Sequence, residues 1–253
     1  PALHTVIERG IHMLNWRAKI GAICPGPAVT VENDFNHRVP PGVGVSTMHI
    51  PWGKPGAGPT PENLKMMASG LEEGCRRFYD PRDKQDVIIF ACTSGSLIGG
   101  PTFDKECVRI IEDVTGTKGL TTSTAILEAF QALRMTRLAV ITPYPDATND
   151  AEKLFLEKNG VGVTTIVDMN PTREYIPTLT PQFVYQQVKK LDLTGADGIF
   201  VSCTALDCID MIRYMEEDFG LPVVTSNQAS IWASLRCAGV GVKLPEMGRL
   251  LTL

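Results

Sequence analysis

"VIIFACTSGSL", residues 87–97, is an apolar run that stops abruptly at a cysteine, two hydroxyl residues and a glycine. "GIFVSCTALD", residues 198–207, does almost the same in the other half of the chain. Short apolar runs bounded by turn residues read as strands buried on both faces, the kind found in a parallel sheet covered by helices. Working outward, further strands are expected at 18–24, 43–50, 86–91, 137–142, 161–168, 197–202 and 221–225. Helical spacing appears at 61–79, 101–114, 124–134, 147–159, 181–192, 207–219 and 228–237. Strands that alternate with helices specify an α/β fold.

The chain also repeats itself. "RAKIGAICP" (17–25) aligns with "MTRLAVITP" (135–143), "GVGVS" (42–46) with "GVGVT" (160–164), and "IIFACT" (88–93) with "IFVSCT" (199–204). "GTKGLTTSTA" (116–125) follows the register of "GLPVVTSNQA" (220–229). An ordered series of matches marks a duplication. The expected architecture is therefore two Rossmann-like (flavodoxin-like) parallel-sheet lobes related by a pseudo-twofold axis. Residues 17–117 with 226–253 form the first, 118–225 the second, and 1–16 an N-terminal extension. Helices 124–134 and 228–237 occupy equivalent places, and each is expected to cross to the other lobe.

Composition narrows the function. The 253 residues are 43% hydrophobic and 21% charged with a net charge of −4, a globular balance without a basic block for nucleic acid or an anionic membrane. No apolar run reaches the length that spans a bilayer, and no signal peptide is read at the N-terminus. Seven scattered cysteines favour a reducing, cytoplasmic location over a disulfide framework. Neither CxxC nor zinc spacing occurs, and "PGPAVTVENDF" lacks the glycine spacing of nucleotide loops, so no metal or cofactor is expected.

Ligands of open α/β sheets bind beyond the carboxyl ends of the strands. Cys92 and Cys203 end equivalent strands, so they approach the cleft between the lobes from opposite sides. Two facing thiols can take a proton from one face of a carbon and supply it on the other, or one can add to an activated double bond. That chemistry needs a thiolate, which backbone N–H groups at a strand-to-helix turn favour. The same N–H groups, with the hydroxyls of Thr93, Ser94 and Thr204, would hold a carboxylate or an enediolate oxygen. A cysteine ending a buried strand is, by itself, ordinarily an inert small hydrophobe; the paired placement argues otherwise. Tyr144 is either packing or a hydroxyl in reach of the cleft. Thr121–Thr124 and Thr225–Ser226 read as helix N-caps. Cys24 and His49 end strands of the first lobe and are weaker candidates.

At these residues the chain resembles the aspartate/glutamate/hydantoin racemase superfamily, and within it the maleate cis–trans isomerase and arylmalonate decarboxylase branch. The likeness runs from about residue 18 to the end. It is carried by "CTSGS" (92–96), "ITPYPDATND" (141–150), "SCTALD" (202–207) and the Pro25–Glu32 segment. The resemblance implies catalytic thiols at Cys92 and Cys203 and substrate contacts from Thr93, Ser94, Tyr144, Thr204 and Ala205. It implies no cofactor, a small carboxylate as substrate, and a homodimer or higher homo-oligomer. The resembling decarboxylases carry glycine at the place of Cys92, so two cysteines favour isomerisation or racemisation. The resembling isomerases show an asparagine where this chain has Ala28, which points away from maleate itself. The alternatives are a decarboxylase that uses Cys203 as proton donor, and a non-catalytic two-lobed binder of a small acid.

Overall fold

The computed structural model describes residues 15–253, so nearly all of the expected extension, with His4 and His12, lies outside the described residues. Among the described residues eight strands form two parallel four-stranded sheets. The first joins β1 (Ala18–Pro25), β2 (Val43–Ile50), β3 (Val87–Phe90) and β4 (Lys118–Thr121) in the order β2-β1-β3-β4. The second joins β5 (Arg137–Thr142), β6 (Gly162–Asp168), β7 (Gly198–Val201) and β8 (Val223–Thr225) as β6-β5-β7-β8. The same order in both sheets is what the internal repeat requires.

Burial differs between the two edges of each sheet: β8 and, beyond Lys118, β4 are buried, whereas β2 and β6 are largely not. The inner strands VIIF and GIFV are buried at every residue, whereas the edge strands β2 and β6 alternate between half-buried and exposed. Such continuous apolar runs survive only where helices cover both faces.

One boundary moves. Lys118–Thr121 pairs with β3, so the first sheet continues past the expected limit at 117. This strand was not anticipated, because four residues that include a lysine and a glycine carry little strand signal. The helices that follow β4 and β8 do cross. Helix Thr122–Leu133 packs against β8, with Phe130 edge-on to Phe200 of the second sheet at 5.2 Å. Helix Ser226–Cys237 packs on β3 and β4 of the first sheet. Where they meet, Thr122 Oγ1 and Ser230 Oγ are 3.1 Å apart.

The single helix expected at 61–79 is two, Pro61–Ala68 and Leu71–Phe78. The break lets Gly74 approach β2 so closely that a Cβ there would lie 2.5 Å from Ile50 Cγ2. Two further helices, Val29–Arg38 and the single turn Thr93–Leu97, follow β1 and β3 directly. Among the described residues no helix is long and apolar enough to cross a membrane.

Candidate active site

Both cysteines stand where a buried strand ends. Cys92 follows β3 in extended conformation and caps the turn Thr93–Leu97, its Sγ accepting from Gly95 N at 3.3 Å. Cys203 follows β7, and its Sγ accepts from Ala205 N at 3.4 Å. The backbone of Cys203 has φ +144°, a region that favours glycine. The turn that aims this sulfur is therefore strained.

Ser226 ties the two strand ends together. Its Oγ accepts from Thr93 Oγ1 at 2.8 Å and from Cys203 N at 3.0 Å. The sulfurs are near enough that a charge on Cys203 acts on Cys92. The hydroxyl of Tyr144, after β5, is close enough to Cys203 to lower its thiol, and that of Ser94 acts in the same way on Cys92. The structure thus gathers Cys92, Thr93, Ser94, Tyr144, Cys203, Thr204 and Ala205 at facing strand ends. All three central side chains are buried: Cys92 is 4%, Tyr144 2% and Cys203 7% exposed.

That burial corrects one expectation. Thiolates were anticipated, but loss of water outweighs the donors: the Cys92 thiol is pushed up to about 12 and Cys203 to about 11. Cys203 stays lower because Tyr144 and two backbone N–H groups act on its sulfur. Both thiols are therefore neutral at rest, and an anion on either needs further help from the substrate or from a change in hydration. The Tyr144 hydroxyl is held far above its ordinary range, again by burial first.

Four participants escaped the sequence reading. Glu152 is fully buried beside Ser202, Cys203 and Tyr144, and burial raises it to about 7. Ser202 is close enough to oppose that rise, yet neither carboxyl oxygen has a well-formed hydrogen bond. In the first half, Asp34 is equally buried and also raised to about 7. Asn227 bridges Asp34 Oδ2 at 2.7 Å and the carbonyl of Thr204 at 2.9 Å through one Nδ2. Thr30 Oγ1 donates to the carbonyl of Ala205 at 3.1 Å. A legible signal existed: counted from Pro25 and Pro143 of the repeat, Thr30 matches Thr148 and Asp34 matches Glu152. Thr148 Oγ1 likewise reaches across the halves, to Pro59 O at 2.7 Å.

The weaker candidates play other parts. The Cys24 thiol is buried, donates to Ala22 O and is pushed up to about 12, which makes it a packing residue. His49 is half exposed and holds Glu32 Oε1 at 3.0 Å and the carbonyl of Gly26, so it pins the loop that carries Ala28. Thr121 and Thr225 cap their helices with complete capping boxes. Among the described residues no group of three or more His, Cys, Asp or Glu is placed to hold a metal ion. Two thiols with separate donors can pass one proton between opposite faces of a carbon, or combine addition by one sulfur with proton delivery by the other.

Comparison with known proteins gives the setting. The family model described as arylmalonate decarboxylase matches residues 81–251. Arylmalonate decarboxylase of Bordetella bronchiseptica is 30% identical over 200 residues, which span 76% of this chain and 80% of that protein. Maleate isomerase of Nocardia farcinica (strain IFM 10152) is 24% identical over 249 residues, 92% of this chain and 95% of its own. Among solved structures, a cysteine-to-serine mutant of Nocardia farcinica maleate cis-trans isomerase with a covalently bound succinylcysteine intermediate superposes with a TM-score of 0.82. That structure is 21% identical and covers 93% of this chain and 98% of its own.

Proposed function

This chain belongs to the arylmalonate decarboxylase family, and we propose that within it the chain is a cofactor-independent two-cysteine isomerase or racemase of a small carboxylic acid, of the maleate cis–trans isomerase kind. The observation that carries this reading is the pair Cys92 and Cys203, held at facing strand ends by the one hydroxyl of Ser226. The Nocardia enzyme whose mutant holds a succinylcysteine lends support, since a sulfur bonded to a four-carbon diacid is what addition to a double bond leaves behind.

The chemistry follows from the geometry. One thiol loses its proton to solvent as the acid docks, and the resulting thiolate adds to an unsaturated carbon. The other thiol delivers its proton to the neighbouring carbon, so the double bond becomes single and rotates. Return of that proton expels the first sulfur and restores the double bond in its new geometry. In a racemisation no carbon–sulfur bond forms: one sulfur takes the α-proton and the other supplies one to the opposite face. Burial of the site strengthens each donor that faces developing negative charge. Thr93 through its backbone N–H, since its hydroxyl donates to Ser226, together with Ser94, Thr204 and the Ala205 segment, are the proposed carboxylate contacts, with Tyr144 acting through Cys203. Ala28 leaves the end of the site beside it without a side-chain donor, which suits an acid bulkier or less polar there than maleate. A homodimer in the cytoplasm completes the proposal.

A second reading has its own support in the 30% identity to arylmalonate decarboxylase: loss of CO2 from a malonate, with Cys203 protonating the carbanion. Incubation in D2O with maleate, amino acids and a substituted malonate separates the two. Fumarate, or deuterium at a stereocentre without CO2, is the expected result; CO2 release establishes the decarboxylase. Cys92→Ser and Cys203→Ser are each expected to lower turnover at least about a hundredfold. Mass spectrometry of both variants after exposure to substrate reveals which sulfur forms the adduct. Ligand affinity that persists in both variants, with no turnover of any acid, refutes the enzyme.

A further inference from the structure

Asp34 and Asn227 meet in the interior, 0% and 2% exposed. One contact is plain: Asn227 Nδ2 donates to Asp34 Oδ2 at 2.7 Å. The other oxygen of each group, Asp34 Oδ1 and Asn227 Oδ1, has no partner. Turning the Asn227 amide over brings no relief, because its oxygen would then face both Asp34 Oδ2 and the carbonyl of Thr204. Two planar groups joined by one N–H···O bond are left with two acceptors and no donor, and buried acceptors seldom stay unpaired. A single hydrogen atom satisfies both.

We propose that Asp34 is a protonated acid whose Oδ1–H donates to Asn227 Oδ1, and that this closed acid–amide pair positions the loop after Cys203. The role rests on the reading of Cys203 as a reacting thiol. Asn227 has its second N–H on the carbonyl of Thr204, while Thr30, one turn before Asp34, holds the carbonyl of Ala205. Helix Val29–Arg38 thereby holds the Ala205 carbonyl directly and the Thr204 carbonyl through Asn227, two successive carbonyls beside the strained backbone of Cys203. Asp34 touches no reacting atom; it is a positioning residue.

The surroundings agree. Burial is the main influence that keeps Asp34 neutral, and the charges of Asp207 and Asp210 act in the same sense. Arg38, one turn along the helix, opposes them, but its Nη1 and Nη2 are held by Asp210 at 2.7 and 2.9 Å, and its buried Nε makes no hydrogen bond to Asp34. The Cys208 thiol also faces Asp34 and is neutral. On the Cys92 side the repeat places Ser123 where Asn227 would be, bonded to Ser96 at 2.7 Å, so Glu152 has no amide to close upon. The clamp serves Cys203 alone.

The test compares wild type, Asp34→Asn and Asp34→Ala. Carboxyl 13C NMR of aspartate-labelled protein follows the Asp34 titration, assigned by its absence from Asp34→Asn, and it needs no substrate. We expect the proton to leave at about pH 7 instead of about 4. Asn at 34 donates at every pH, so it is expected to rescue turnover where Ala loses at least about tenfold. The ratio of kcat/KM for Asp34→Asn to wild type, in which the thiol ionisations cancel, is expected to be flat below pH 6 and to climb about fivefold by pH 9. A titration in the ordinary carboxylate range overturns the pair. A protonated Asp34 with a ratio flat in pH overturns its positioning role. Absence of turnover with every acid tried defeats the enzymatic reading and leaves the NMR result to judge the pair.

Discussion

Cys203 holds its backbone at φ +144°, where a side chain is ordinarily not tolerated. Its sulfur accepts from Ala205 N and lies within the influence of Tyr144. Two truncations isolate what that conformation costs. Cys203→Ala and Cys203→Gly remove the same sulfur, and at an unstrained site alanine is the more stable by about 0.5–1 kcal/mol. Here glycine is expected to win by about 1 kcal/mol, read by denaturant unfolding; an advantage for alanine rules out strain at this turn. Glu152 makes a second case. Its charge would raise the Cys203 thiol, so a neutral glutamine in its place removes that opposition whenever the pH is above about 7. Alkylation of Cys203 in Glu152→Gln, followed by mass spectrometry, should therefore speed up relative to wild type above pH 7 and match it at pH 5. Equal rates at pH 9 would show that Glu152 does not act on the sulfur.

The two crossing helices begin alike, with Thr121 and Thr225 each closing a capping box. Replacing either threonine by alanine should cost about 1 kcal/mol, about 2–4 °C in Tm for a chain of this size. Ser226→Ala should cost more, since it leaves the buried N–H of Cys203 without an acceptor at about 1–3 kcal/mol, and it should lower turnover as well. A Ser226→Ala loss no larger than that of Thr225→Ala contradicts the bridge. These caps were legible from threonine followed by a helical apolar stripe, and the buried strands from their unbroken apolar runs. Helix Val29–Arg38 was not, for a physical reason. Its buried face is Thr30, Val31, Asp34 and Phe35, so two polar residues that reach the Cys203 loop interrupt the hydrophobic period. Glu152 was hidden in the same way, inside the buried stripe of helix Asp146–Lys158. Tyr144 and the two cysteines could be found because chemistry and strand ends coincide there. Ser226 and Asn227 could not, since their roles depend on how one half meets the other.

Across the whole molecule the duplication has placed two of the buried acids, Asp34 and Glu152, at equivalent places in the two halves, and burial of such groups sets how stability depends on pH. Burial raises Asp34 from 3.8 and Glu152 from 4.5, both to about 7. Between those limits the folded chain binds more protons than the unfolded one, so its stability falls as pH rises through the window and levels off above it. Each such group contributes a slope of about 1.4 kcal/mol per pH unit where the two states differ by a full proton. Raised His49 acts in the same direction, through a pair with Glu32 that solvent screens. Glu32, Asp197 and Asp210 oppose it: their pKa values are lowered, so their stability is present above the ordinary carboxylate range and lost as pH falls through the folded value. They are only partly buried, and their influence is confined to the acid side, whereas Asp104, Glu128 and Glu216 are raised by burial as well and act with Asp34 and Glu152. Wild-type Tm at constant ionic strength should therefore decline from pH 5 to pH 7.5. Glu152→Gln alone should make that decline shallower, because glutamine keeps the shape and cannot ionise, and combination with Asp34→Asn should make it shallower still, with Asp104, Glu128 and Glu216 leaving a remainder. The two carboxyls belong to different helices and share no hydrogen bond, so their effects on the slope should add. A wild-type Tm that climbs over this interval, or a slope untouched in Glu152→Gln, would mean that the second buried acid is ionised in the folded state and that its surroundings hold a donor for it.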